Sequence, residues 1–169
     1  MSRITGRPIV FDADSVDLGG FVEQIDPAAV DRTLRDKSQD VVLLRNHDSL
    51  FPLARRSARS LVLGKDASGL AIDALVDDEV SFVADVLRMI QRRDAAGGSF
   101  AFRTVDDVWT LRNGTPFRRV LDMVITEVSI GVTFPAYKAT SLSASERGAA
   151  PQQPVRDQRY FESRLRLAR

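Results

Sequence analysis

The segment spanning residues 99–134 constrains the fold most, because it is strand-like along almost its whole length. An Asn-Gly pair at residues 113–114 marks a turn within it. In the part that follows, the apolar side chains occupy odd positions as far as Ile125 and even positions from Val128 onward. A shift in the two-residue period of a strand predicts a β-bulge or a sheet corner near residues 126–127.

The other segments predict several short strands and two helices. Strands are predicted within residues 7–25, over residues 40–46, and within residues 58–76, where a turn separates two of them. Residues 26–36 begin with an aspartate and a proline, which is typical of a helix start, and residues 77–94 carry apolar side chains at helical spacing. This pattern predicts an α+β protein, built on a closed or strongly curved, mainly antiparallel β-barrel with flanking helices. Closure is expected because few stretches resemble protected edge strands.

The composition changes near residue 140 and divides the chain into three parts. Residues 1–140 are expected to form one folded domain. Residues 141–155 are rich in serine, alanine and proline and are predicted to be a flexible linker. Residues 156–169 contain five arginines against two acidic residues, with aromatic residues and leucines between them, and are interpreted as an Arg-rich C-terminal tail.

The composition also excludes several classes of site. The chain has 169 residues, no cysteine and one histidine, which excludes disulfides, cysteine nucleophiles, thiolate zinc sites and multi-histidine metal sites within one chain. A net charge of +1 gives no overall attraction to nucleic acid or to anionic membranes. No apolar run approaches the roughly 18 residues of a membrane-spanning helix, and the N-terminus lacks a signal-peptide pattern. We therefore expect a soluble, cytoplasmic protein that needs no cofactor.

Ser99 is a candidate nucleophile because of how the chain presents it. In a strand beginning at this residue, Phe100 and Phe102 point toward the core, and Ser99 points to the opposite face. Gly97 and Gly98 carry no side chains, so we expect a substrate backbone to approach closely there. The alternative interpretation is that Ser99 simply follows a glycine turn after a helix.

His47 and a carboxylate could complete a catalytic site around this serine. A serine hydroxyl is a weak nucleophile without a base, and His47, which directly follows the buried strand 40–46, is the only imidazole in the chain. Alternatively, His47 is a solvent-facing residue of a turn. Glu127 lies at the period shift and could orient the imidazole, although it could also be a surface glutamate. Asp48 and Asp122 are alternatives for this role.

The order of these segments resembles that of a known protein family. The chain carries "VVLLRNHD" at 41–48, then a helix that ends in "GGSFAFR" at 97–103, then "ITEVSIGVTFPAYKAT" at 125–140. This ordered set, together with "FVEQIDPAAV" at 21–30, closely resembles the prohead proteases of tailed bacteriophages, which are capsid-maturation serine peptidases. The similarity spans roughly residues 17–145.

The resemblance implies a fold related to that of the herpesvirus assemblin proteases and assigns roles to three residues. Ser99 falls on the family's nucleophile, His47 on its histidine, which acts as general base, and Glu127 on its acidic residue. Two neighbours depart from the family pattern: Gly98 stands where methionine is frequent, and Ala101 where glycine is frequent. Neither departure removes a reacting group.

The resemblance also implies partners and a location. The expected substrates are the major capsid protein precursor and a scaffold segment, cleaved inside the immature capsid, or prohead, in the host cytoplasm. The protease is expected to process itself and could self-associate, without direct contact with nucleic acid or membrane. The tail would recruit the protease into the shell or be removed from it.

Two alternatives belong to other functional classes. The first is a catalytically inactive barrel that acts as a capsid-assembly binding module. The second is an oligonucleotide-binding barrel that uses the 24 basic residues of the chain, although 23 acidic residues offset them and aromatic residues make up 7% of the sequence.

Overall fold

The structure, a computed structural model, describes residues 1–94 and 97–146 and contains two β-sheets and two helices within these ranges. The strands are β1 (Ser2–Val10), β2 (Val22–Ile25), β3 (Val42–Arg45), β4 (Asp48–Arg55), β5 (Leu61–Asp66), β6 (Gly69–Val76), β7 (Gly97–Arg112), β8 (Thr115–Val132) and β9 (Ser141–Glu146). The helices are α1 (Asp31–Arg35) and α2 (Ser81–Arg92). No helix in the described ranges is long and apolar enough to cross a membrane.

The first sheet has the strand order β5-β6-β1-β9, and all of its neighbouring strands are antiparallel. The sequence predicts the turn between β5 and β6 around Lys65–Gly69, and the structure places it between the paired residues Asp66 and Gly69. Residues 141–146, which the composition assigns to the linker, form β9 and pair with β1 from Arg7 to Ser2. The rest of the predicted linker, residues 147–155, and the Arg-rich tail lie outside the described residues.

The second sheet is built around β8, which is 18 residues long. β7 pairs with one edge of β8 in an antiparallel ladder. Along the other edge β8 pairs in parallel with β2, at residues 117–120, and with β3, at residues 127–130. β4 extends this sheet as the antiparallel neighbour of β3.

The prediction of a closed or strongly curved β-barrel is wrong. Neither sheet closes on itself within the described ranges, and the protein is mostly β-sheet in two open sheets of four and five strands. The length of β8 explains why the second sheet is open and not a barrel. Its backbone hydrogen bonds are satisfied by three different strands, so the second sheet grows around one strand without having to close into a barrel.

The local predictions for β7 and β8 are confirmed. Asn113 and Gly114 form a two-residue turn with positive φ angles of 55° and 81°, as expected for a hairpin of type I′. Ala101 pairs with Glu127, whereas the next residue of β7 pairs with Ile125. Thr126 is therefore the extra residue of a β-bulge. This bulge is what keeps Ile125 and Val128 on the core face although they are three positions apart.

One apolar core joins both sheets and α2. Ile4 and Ile9 of β1, several side chains of β8, and one face of α2 belong to the same buried cluster. The buried residues of α2 are Val83, Val86, Leu87 and Ile90, which confirms the helical spacing in the sequence. α1 is shorter than the predicted helix, because residues 27–30 form turns that precede it.

Candidate functional site

The three candidate side chains lie on one face of the second sheet. Ser99 of β7 pairs directly with Ser129 of β8, and directly paired residues of neighbouring strands point to the same face. Glu127 lies two residues before Ser129, with no bulge between them, so it also points to this face. Phe100 and Phe102 pack against the core, as the sequence predicts.

His47 comes to the same face from the other side of β8. β3 runs parallel to β8, with Leu44 beside Ser129 and Arg45 beside Ile130, and His47 follows two residues after the end of β3. Its Nδ1 atom lies 2.5 Å from Oε1 of Glu127. The imidazole is 41% exposed and the Glu127 side chain 14% exposed, so the pair is sheltered on the carboxylate side and open on the imidazole side.

One strand, β8, separates β7, which carries Ser99, from β3 and the turn after it, which carries His47. Neighbouring strands are about 4.8 Å apart, so β7 and β3 are separated by about 10 Å across the sheet. Among the described residues, the imidazole bonds to Glu127 and no hydrogen bond joins it to the Ser99 hydroxyl. Catalytic hydrogen bonds are often long in enzymes without substrate and shorten when substrate binds.

A tight and strained turn carries His47. Arg45 pairs with Asp48, so Asn46 and His47 are the two loop residues of the β3–β4 hairpin. Their φ angles are 48° and 61°, and positive φ at both loop positions is typical of a type I′ turn, whose second position favours glycine. A histidine with positive φ is uncommon and costs free energy, so the surrounding structure must hold it in place.

The two other candidate carboxylates have different partners. Asp48 Oδ1 accepts the backbone N–H of Leu50 at 2.9 Å, within its own strand. Asp122 receives three hydrogen bonds from the guanidinium of Arg32, and this contact holds the pKa of Asp122 below its usual range. Of the three acidic candidates, Glu127 is the one whose carboxylate contacts the imidazole.

The expectation that Gly97 and Gly98 leave room for a substrate is wrong. A Cβ atom on Gly98 would lie 2.7 Å from Cα of Pro8 in β1, and one on Gly97 would lie 2.4 Å from the carbonyl oxygen of Val132. The space beside both glycines is therefore occupied by the protein's own backbone. The glycines allow β7 to enter the sheet close to β1, directly before Ser99.

Buried contacts behind β7 fix the strand from the core side. The ring of Phe100 stacks on that of Tyr137 with centroids 5.8 Å apart. The Tyr137 hydroxyl donates to Glu23 at 2.8 Å, and Arg118 donates to the other oxygen of Glu23 at 2.9 Å. Burial, reinforced by the neighbouring Glu23, raises the pKa of Tyr137, so this hydroxyl remains a donor.

Sequence reasoning did not identify Ser129, which contacts both His47 and Glu127. Its Oγ accepts the backbone N–H of His47 at 2.8 Å and donates to Oε1 of Glu127 at 3.2 Å. A signal was available in the sequence. Polar residues at 127 and 129 alternate with apolar residues at 128 and 130. In a strand this alternation places the polar residue at 129 on the same face as Glu127, which indicates that the two side chains lie close together.

This arrangement permits acyl transfer. A serine acts as the nucleophile, and a histidine held by a carboxylate activates it. The described residues contain no group of three or more histidine, cysteine, aspartate or glutamate side chains placed to hold a metal ion.

Comparison with known proteins identifies a family. The family model described as caudovirus prohead serine protease matches residues 1–153. No curated protein matches the chain.

Proposed function

The chain belongs to the caudovirus prohead serine protease family and is a serine peptidase, and we propose that Ser99, His47 and Glu127 form its catalytic triad. The observation that carries this proposal is the 2.5 Å contact between His47 Nδ1 and Glu127 Oε1, on the sheet face to which Ser99 also points. The resemblance of the sequence to the family gives the same three residues the same roles. Along the chain the histidine comes first, the serine second and the carboxylate third. Several other serine peptidases have a different order, which is consistent with the independent origin of such sites.

In the proposed reaction His47 serves first as a base and then as an acid. Nε2 takes the proton of the Ser99 hydroxyl while Oγ attacks the carbonyl carbon of the scissile peptide bond. The tetrahedral intermediate collapses, the carbon–nitrogen bond breaks, and the imidazolium gives its proton to the leaving amine. Water then attacks the acyl-serine ester by the same route and releases the second fragment.

Glu127 acts through the imidazole. Its carboxylate accepts the Nδ1–H of His47, which leaves Nε2 free to take the serine proton, and it stabilises the positive charge that the ring then carries. The oxyanion needs hydrogen-bond donors of its own, each contributing about 3 kcal/mol. We propose backbone N–H groups, or a water held by an arginine, for this role.

The family supports a role in capsid maturation, with capsid proteins as substrates inside the prohead. We propose more specifically that the substrates are the major capsid protein precursor and its scaffold segment, and that the reaction takes place in the host cytoplasm without direct contact with nucleic acid or membrane. Confinement within a shell raises the local concentration of enzyme and substrate, so a peptidase of modest efficiency is sufficient.

Self-processing is a further part of the proposal. We propose that the protease cleaves its own chain between residues 147 and 169, after the last described strand. Mass spectrometry of the purified wild-type chain and of Ser99→Ala tests this. A shortened C-terminus in the wild type alone supports self-processing, and an intact C-terminus in protease taken from mature particles contradicts it.

Co-expression with the major capsid precursor tests the proposed activity. The wild-type protein should shorten the capsid chain, whereas Ser99→Ala and His47→Ala should leave it intact while remaining folded. Ser68→Ala, which changes an exposed serine in the β5–β6 turn, is the matched control and should cleave normally. Cleavage by Ser99→Ala would contradict the assignment of the nucleophile. An intact capsid chain with the wild type would favour the inactive binding module.

A further inference from the structure

The side chain of Ser129 reaches both the backbone of His47 and the carboxylate of Glu127. It is fully buried, at 0% exposure, in the centre of the second sheet. Its hydroxyl makes two hydrogen bonds, accepting from His47 N–H at 2.8 Å and donating to Glu127 Oε1 at 3.2 Å. A buried serine more often bonds to backbone groups close to it in sequence. Here the main-chain partner is 82 residues away.

The bond to His47 stabilises a backbone conformation that is unfavourable by itself. His47 has a φ of 61°, and a non-glycine residue in this region costs about 1–3 kcal/mol. Asn46, the other loop residue, donates its N–H to the carbonyl oxygen of Ile130 at 2.9 Å. Two consecutive N–H groups of the turn are therefore bound to two consecutive residues of β8, which fixes the direction in which the imidazole leaves the backbone.

The bond to Glu127 fixes the carboxylate that contacts the imidazole. Oε1 of Glu127 is the same oxygen that contacts His47 Nδ1, so the Ser129 hydroxyl and the imidazole converge on one atom. A carboxylate held by a second donor has fewer orientations available than one held by the imidazole alone. The consequence is a defined position for Oε1 relative to the ring.

We propose that Ser129 is the positioning residue of this site, and that its single hydroxyl sets both the turn that carries His47 and the oxygen that orients the ring. The proposal rests on the proposed function of Ser99, His47 and Glu127. Ser129 itself is excluded as the nucleophile by its complete burial and because it binds the main chain of His47 instead of the imidazole. The chemical result is an imidazole with its proton on Nδ1 and with Nε2 directed toward Ser99.

Kinetics of capsid precursor cleavage by the full chain provide the first test. Ser129→Ala should lower kcat by about 10²-fold with KM unchanged, because misplacing a catalytic group by about 1 Å has effects of this size. Ser129→Thr should recover most of the lost kcat because it keeps the hydroxyl. Ser15→Ala is the matched control, since the Oγ of this buried serine also accepts a backbone N–H, that of Glu23. A Ser129→Ala variant with wild-type kcat would overturn the proposal.

Nitrogen NMR of the imidazole provides a second test that does not depend on activity. His47 is the only histidine of the chain, so its ring nitrogens give a single, assignable pair of signals. In the Ser99→Ala background the neutral ring should carry its proton on Nδ1. Adding Ser129→Ala should produce a mixture of the two tautomers, whereas Ser129→Thr should not. An unchanged Nδ1–H tautomer in the Ser99→Ala, Ser129→Ala protein would overturn the proposal.

The two tests separate this inference from the proposed function. If Ser99→Ala still cleaves the precursor, the assignment of the nucleophile fails, but the tautomer experiment still measures what Ser129 does to His47. If Ser129→Ala does not fold, Ser129→Cys takes its place, because a thiol fills the same site with a weaker donor. A Ser129→Cys protein with wild-type kcat and an unchanged tautomer would then overturn the proposal.

Discussion

His47 Nδ1 and Glu127 Oε1 are 2.5 Å apart although 80 residues separate them in the chain. The contact depends on two local deviations from regular β-structure. The bulge at Thr126 turns Glu127 to the face of the sheet that carries Ser99, and the two-residue turn after β3 brings His47 to the same face. Bulges are frequent beside active sites because they redirect side chains without interrupting the sheet.

Replacing Glu127 should lower activity less than replacing the nucleophile or the base. Glu127→Gln keeps the shape of the side chain but no longer accepts the Nδ1 proton as a charged group. We expect capsid cleavage to fall by up to about 10⁴-fold, against about 10⁶-fold for Ser99→Ala or His47→Ala. Asp48→Asn and Asp122→Asn are the controls and should cleave at wild-type rates. A fully active Glu127→Gln with an inactive Asp48→Asn or Asp122→Asn would assign the carboxylate elsewhere.

Substitution of Asn46 should affect both stability and activity. Asn46 has a φ of 48°, which asparagine tolerates and β-branched residues do not. Asn46→Val should lower the free energy of unfolding by about 1–2 kcal/mol and reduce kcat, because His47 is the next residue of the turn. Asn113→Val makes the same change in the β7–β8 turn and should cost similar stability with normal cleavage. Denaturant titration and cleavage assays measure the two effects, and equal kcat values for both variants would contradict this account.

Substitution of Gly98 should displace the strand that carries Ser99. An alanine Cβ would lie 2.7 Å from Cα of Pro8, so β1 and β7 must move apart. We expect Gly98→Ala to lower the free energy of unfolding by about 1–3 kcal/mol and to reduce cleavage. Gly69→Ala creates a comparable clash with the carbonyl oxygen of Ile9 in the first sheet, and it should lower stability with less effect on kcat. Wild-type stability of Gly98→Ala would show that the two strands are not in close contact.

The ion pair between Arg32 and Asp122 should stabilise the protein in a pH-dependent way. The guanidinium holds the pKa of Asp122 below the ordinary value of about 3.9. A carboxyl whose pKa is lower in the folded state stabilises the fold above its unfolded pKa, and this contribution disappears as the pH falls through the folded pKa. Asp122→Asn should therefore unfold at lower denaturant concentration than wild type at pH 7, and the two should converge as the pH falls through the folded pKa of Asp122. If the difference in unfolding midpoint between wild type and Asp122→Asn stays constant from pH 7 to acidic pH, this prediction is contradicted.

The sequence predicted those features of the fold that depend on neighbouring residues. The period shift at residues 126–127 predicted the bulge, the Asn-Gly pair predicted the β7–β8 turn, and helical spacing predicted α2. Each of these depends on backbone geometry or on side-chain alternation over a few positions, so a single sequence carries the information.

Pairing between distant strands was not predictable in the same way. Nothing in residues 22–25 or 42–45 indicates that both segments lie beside β8, in parallel and one after the other along the same edge. The barrel prediction was wrong for this reason. It inferred closure from the scarcity of protected edge strands and did not consider that one strand, β8, could pair with three other strands. The glycines before Ser99 were misinterpreted for a related reason, since Val132 beside Gly97 and Pro8 beside Gly98 are distant in sequence.

The candidate site was predictable in part. Ser99, His47 and Glu127 are residue types with recognisable chemistry, and the resemblance to a family placed them in order. The choice among Glu127, Asp48 and Asp122 required knowing which carboxylate contacts the imidazole. The identification of Ser129 required knowing a side-chain contact with a residue 82 positions away. Such contacts follow from the register between β3 and β8, which local patterns do not determine.

Covalent labelling of the full chain with a serine-directed phosphonofluoridate tests the central claim most directly, because the reagent reports the nucleophile and its activation together. Peptide mass spectrometry should find the adduct on Ser99 in the wild type, and the rate of labelling should fall by at least about 10³-fold in His47→Ala. A cleavage-competent protein that stays unlabelled at Ser99, or labelling of Ser99 at the same rate with and without His47, would contradict the account.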